Sequence, residues 1–167
     1  MTDTLVQGLA SLLGGKVSGE VIIFIISMIP ILELRGGLLA ASVLNIDIVR
    51  ALWICIVGNL IPVPFILLLI TPIFNWLKQT KTFRPMVEKM ENRAMNKKEQ
   101  IQKYEFWGWV LFVGIPLPGT GAWTGSLLAA LLGMKFKKAF PAVVLGILLA
   151  SFIMSVVSYG LLGAILH

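Results

Sequence analysis

The stretch Pro30-Ile31-Leu32-Glu33-Leu34-Arg35-Gly36-Gly37 sets a carboxylate, a guanidinium and two glycines inside an apolar run that extends from residue 21 to residue 46. A charge in the middle of a bilayer costs several kcal/mol on most scales, so such a residue is paired, buried in protein or turned toward water. Proline ahead of the charges and glycines behind them also disfavour an unbroken helix. A second stretch, Pro116-Leu117-Pro118-Gly119-Thr120-Gly121-Ala122-Trp123, interrupts a later apolar run in the same manner. Two broken segments that face each other, forming the working site of a small membrane transporter, are the expectation.

Composition supports a membrane protein. Of the 167 residues, 57% are hydrophobic and 13% charged, against roughly 25% charge in soluble domains; the mean hydropathy is +0.91. Eight of the fourteen basic residues lie within 78–103, and three more are Lys135, Lys137 and Lys138. The net charge of +6 therefore marks cytoplasmic loops rather than a nucleic-acid partner. Cys55, the lone cysteine, sits in an apolar run as a small buried hydrophobe. No cleavable signal peptide of the usual form is read at the start. Leu5, Val6, Leu9, Leu12 and Leu13 instead predict a short surface helix over 1–20.

Four apolar segments follow, at about 21–46, 48–74, 106–134 and 139–166, with a polar linker over 75–105. The linker reads as an amphipathic helix with Phe83, Val87, Met90, Ala94 and Ile101 near one face. The halves are similar: Gly37-Leu38-Leu39-Ala40-Ala41 resembles Ser126-Leu127-Leu128-Ala129-Ala130, and Ile29-Pro30 corresponds to Ile115-Pro116. Charge then sets the topology. If all four segments spanned, the linker and the 135–138 turn would lie on opposite faces, against the positive-inside bias. Re-entrant first and third segments put both basic regions in the cytoplasm, with the termini and the 47–50 turn outside. The expected fold is thus an all-α integral membrane protein of one domain. It is an inverted repeat of re-entrant hairpin plus transmembrane helix, over 21–74 and 106–167.

At a turn, Glu33 and Arg35 can both point between the hairpins. Glu33 then serves proton or cation coupling, and Arg35, with Gly36 beside it, anchors an anionic group. In the second motif Gly119 and Gly121 let backbone approach a ligand, while Thr120, Thr124 and the Trp123 indole supply donors. A helix beginning near Thr120 would aim its positive end at the same space. Asn59 either reaches the site or bonds helices together. Trp53, Trp76, Trp107, Trp109, Tyr104 and Tyr159 read as interface anchors. The sequence carries no enzyme or metal constellation, and no cofactor is expected.

The two motifs, P-x-x-E-L-R-G-G at 30–37 and P-L-P-G-T-G-A-W at 116–123, resemble the small multidrug export protein family of prokaryotes. More distantly, the chain resembles the DedA and VTT-domain membrane proteins. The resemblance implies facing re-entrant hairpins, Glu33 at the acidic position of the first, and transport of a small or lipid-linked substrate, such as a polyprenyl phosphate. Those relatives carry arginines in the second hairpin, whereas here the arginine is Arg35, in the first. The expected partners are membrane lipid, the substrate and a second copy of the chain. The dimer contact is expected on the small residues Gly36, Gly37, Ala40, Ala41, Gly125, Ser126, Ala129 and Ala130. A membrane scaffold or assembly factor that does not transport is the alternative.

Overall fold

The computed structural model describes residues 18–102 and 105–161, and these are helical without a strand. The expected surface helix over 1–20 falls outside them apart from its last three residues, as do Lys103, Tyr104 and His167. In chain order the helices are α1 (Gly19–Met28), α2 (Glu33–Val43), α3 (Ile48–Leu60), α4 (Pro62–Lys78), α5 (Arg84–Gln102), α6 (Glu105–Gly114), α7 (Ala122–Leu131) and α8 (Phe136–Ser155). A π-helical turn, Val156–Leu161, ends the described chain.

Two of these units are long and apolar enough to cross a membrane: Ile48–Lys78, with mean hydropathy 2.4, and Phe136–Gly160, with 2.5. The first is α3 and α4 joined at Ile61. Pro62, at the first position of α4, needs no intrahelical donor there, so the axis continues across the join. At 31 residues this rod is about 46 Å long. It therefore separates two ends of the molecule.

The remaining apolar helices are short. α1 begins at its Ser18 cap, whose hydroxyl oxygen accepts from the Val21 amide. It stops at the break of residues 29–32, and α2 returns antiparallel beside it. Gly19 lies against Leu44 and Ile46, and Ile26 against Gly36. α6 and α7 are likewise separated by the 115–121 break and pack on each other through Val113 and Gly125.

Glycines set how closely the neighbours approach. A Cβ at Gly37 would collide with Ser27 of α1, and one at Gly58 would lie 2.9 Å from the Phe24 carbonyl oxygen. On the other side, Val113 of α6 occupies the space that side chains at Gly125 and Gly146 would need. The caps match as well. The amides of Leu44, Asn45 and Ile46 donate to the carbonyls of Ala40, Ser42 and Ala41. Those of Leu132, Gly133 and Met134 donate to Leu128, Ala130 and Ala129, each donor 88 positions later. Asn45 and Gly133 both take positive φ, at 53° and 70°, the left-handed conformation that closes a helix end.

One end of the molecule gathers Glu20 against Arg50 at 3.5 Å, and the Tyr159 hydroxyl donating to the Ile46 carbonyl at 2.8 Å. At the other, Lys78 pairs with Glu91 at 2.5 Å and the Thr71 hydroxyl donates to the Ala130 carbonyl at 3.4 Å. Here α5 packs on α4, with Val87 buried and Phe83 exposed.

Three expectations change. Trp53, Trp76 and Trp107 are exposed as anchors should be, but Trp109 is buried, 6% exposed, edge-on to Phe112. The second apolar segment reaches Lys78 rather than residue 74, because helix propensity carries it through Trp76 and Leu77. The small residues expected to meet a second chain are instead buried within the protomer: Gly36, Gly37, Ala40, Ala41, Gly125, Ser126, Ala129 and Ala130. With short helices crossing at glycine distance, those faces are consumed by internal packing.

Candidate functional site

The breaks of the two short-helix pairs meet. Pro116 and Pro118 donate no backbone N–H, and residues before proline favour extended backbone, so α6 cannot continue past Ile115. The Thr120 side chain closes the resulting turn. Its hydroxyl lies 2.8 Å from the Leu117 carbonyl oxygen and 2.9 Å from that of Ile115. α7 consequently starts at Ala122, two residues later than the sequence indicates. Gly121 caps it without a side chain, at φ 124°. That leaves the first amides of α7 without partners of their own.

Glu33 supplies the missing cap from the other motif. Its Oε2 accepts from the Ala122 amide at 3.1 Å and its Oε1 from the Trp123 amide at 2.9 Å. Only 4% of Glu33 is exposed. A carboxylate on a helix N-terminus gains both the charge-assisted bonds and the positive end of the helix dipole. A side chain at Gly121 would run into that carboxylate. The indole Nε1 of Trp123 donates back to the Met28 carbonyl at 3.1 Å, pinning α1's last residue to the start of α7.

Arg35 grips the rest of the turn. Nη1 donates to the Leu117 carbonyl at 2.9 Å, while Nη2 donates to Ile115 at 3.2 Å and to the Thr120 hydroxyl at 3.0 Å. The planar fork suits this work because it meets several acceptors at once. Its Nε is buried and has no partner. Glu33 and Arg35 do not form an ion pair with each other; each instead binds the opposite motif. The local backbone is strained here. Ile31 has φ 82° and Glu33 φ 50°, and the Ile31 side chain is 95% exposed. Positive φ in a β-branched residue is an outlier, of the kind that collects at working sites.

The structure thus brings together Glu33, Arg35, Thr120, Gly121 and Trp123. Gly36 lies against Leu32 and Ile26, between α1 and α2, and Gly119 (φ 78°) has open space around it. Thr124 lines a separate cavity against α5. Asn59, 2% exposed with an unpartnered Oδ1, sits in the last turn of α3 and makes no bond to the contact. The role of Met28 as an acceptor was not foreseeable, since any backbone carbonyl can serve. Among the described residues no group of His, Cys, Asp or Glu could hold a metal ion.

Two helices of spanning length and a buried charge between broken segments are the features of a membrane protein, and the family match supports that class. The family model described as "Putative small multi-drug export protein" matches residues 33–153, and the chain belongs to that family. The matched region opens on Glu33 and contains the whole contact except the Met28 carbonyl. Comparison with curated proteins finds no match, and comparison with solved structures finds none either.

Proposed function

We propose that the chain is a transporter of the cytoplasmic membrane, with α1–α2 and α6–α7 as re-entrant hairpins that enter from opposite faces and touch at their tips. In this reading the two hairpin-plus-helix units form an inverted repeat. The matching caps at 44–46 and 132–134, and the glycine contacts around Ser27 and Val113, support it. The basic linker and residues 135–138 lie in the cytoplasm.

The observation that carries the proposal is the bond between the Glu33 carboxylate and the α7 amides, because a titratable group is what joins the two hairpins. A proton on Glu33 turns one oxygen from acceptor to donor, so at least one amide bond is lost and the tips loosen. The vacated α7 N-terminus can then receive an anionic group of a small or lipid-linked substrate. Glu33 and the substrate compete for one pair of amides, which couples transport to protons. The half-exposed Arg35 network needs cover from lipid, and a second copy of the chain, forming a homodimer, provides it.

The test is reconstitution into liposomes loaded with a pH-reporting dye, with candidate anions and fluorescent lipids as cargo. Proton-coupled flux is expected from the parent chain and lost in Glu33→Gln. Flux that is equal in Glu33→Gln removes the coupling role. A second reading is a non-transporting scaffold, favoured by the way Glu33 and Arg35 are both satisfied internally by the second motif. Liposomes that stay silent with every cargo, from a folded chain, would select it.

A further inference from the structure

A cavity of about 460 Å³ lies between α5 and α7, and none of the residues bonded across the two motifs lines it. Its volume falls in the range of about 300–1,000 Å³ typical of small-molecule sites. α7 lines it with Thr124, Leu127, Leu128 and Leu131, and α5 with Met90, Arg93 and Asn96. Among the described residues no carboxylate lines it.

The charges around it are distributed unevenly. Glu88 is taken by Arg84 at 2.8 Å and Glu91 by Lys78 at 2.5 Å. Arg93 makes no ion pair among the described residues, and it lines the cavity together with the three leucines. α5 also carries exposed Met86 and Met95 among its basic residues, and Phe83, just ahead of it, is exposed as well. That is the composition of a helix lying on a membrane surface, next to a supply of amphiphiles.

We propose that this cavity binds an anionic membrane amphiphile. Its phosphate is held by Arg93 and Asn96, and its chain lies on Leu127, Leu128 and Leu131. A guanidinium fork matches a phosphate in two parallel bonds, while an uncharged chain would leave Arg93 facing an apolar tail. The site is distinct from the Glu33–Arg35 contact and does not require that the protein transport anything.

The test uses the full chain in nonionic detergent with three probes, hexadecyl phosphate, hexadecanol and inorganic phosphate, and native mass spectrometry as the readout. Hexadecyl phosphate should bind at one per chain, at least tenfold tighter than either of the others. Arg93→Gln should weaken it about tenfold, the scale of one charge-assisted bond, and Arg93→Lys should restore part of the affinity. Leu127→Trp, which fills the cavity and keeps the charge, should abolish binding. Unchanged affinity in Arg93→Gln overturns the proposal, as does binding of hexadecanol or free phosphate as tight as that of the ester. Binding that appears only when a dimer is diluted to monomer would assign the cavity to a second copy and overturn it too. Arg93 is exposed, so its variants retain the fold and keep the comparison clean.

Discussion

The Glu33 carboxylate and the Trp123 amide, 90 residues apart in the chain, meet at 2.9 Å, so the residue that begins α2 also caps α7. Removing the side chain leaves two amides buried without acceptors, each at about 1–3 kcal/mol. Glu33→Ala should therefore lower stability by about 3 kcal/mol. Glu33→Gln keeps one oxygen and should lose about 1–2 kcal/mol. Thermal unfolding in one detergent should rank the parent above Gln and Gln above Ala. Identical midpoints for all three would mean the cap contributes nothing.

Arg35 and Thr120 form the second half of the same junction. Lysine offers one ammonium where three acceptors are now met, so Arg35→Lys should cost about 1–2 kcal/mol. Thr120→Val keeps the shape and removes the hydroxyl. Because both act on one turn, the double variant should fall short of the summed losses by about 1 kcal/mol. Strict additivity in a double-mutant cycle would place the two residues in separate roles.

The separation between readable and unreadable features follows range. Helical content, two spans and the break at each proline-glycine motif follow from local composition, and these are legible in the sequence. The pairing of Glu33 with the α7 N-terminus is not, because no local signal tells a buried carboxylate which of several orphan helix ends it will reach. A cue was present nonetheless. Gly121 opens α7 without a polar cap side chain, and a helix start lacking its own cap needs an acceptor from elsewhere. Trp109 misleads for a related reason. Its neighbour Trp107 faces outward two residues earlier, and composition alone does not fix which face of a short apolar helix meets the protein. The small-residue stripes show the same ambiguity, since close packing within one chain and between two require identical residues.

Gly119 and Gly121 separate strain from collision. Both have positive φ, but a Cβ at Gly119 meets nothing within 4 Å, whereas one at Gly121 strikes the Glu33 carboxylate. Gly119→Ala should cost only the left-handed penalty, about 1–2 kcal/mol. Gly121→Ala should cost at least about 2 kcal/mol more, since the cap itself is displaced. In a Glu33→Ala background that excess should shrink, because the obstacle is gone. An excess that persists there would assign the damage at Gly121 to its backbone alone.

Topology is the most direct check on opposite entry of the hairpins. Arg50 lies at the α3 end of the long rod beside Glu20, while Lys137 lies in the first turn of α8, at the end where α4 and α5 meet. Single cysteines there, in a Cys55→Ala background, should label from opposite faces of intact cells. Arg50 is the better site than Asp47, whose carboxylate caps α3 by accepting from the Val49 and Arg50 amides at 3.1 and 3.2 Å. Cys55→Ala removes one buried sulfur beside Gly37 and should cost about 1 kcal/mol, a loss a folded chain can absorb. The expected pattern is Arg50→Cys reached by an impermeant maleimide from outside and Lys137→Cys only after permeabilisation. External labelling of Lys137→Cys would require α6 through α7 to span the bilayer as one unit. The Arg35 grip on the Ile115 and Leu117 carbonyls would then mark a mid-span kink rather than a hairpin tip.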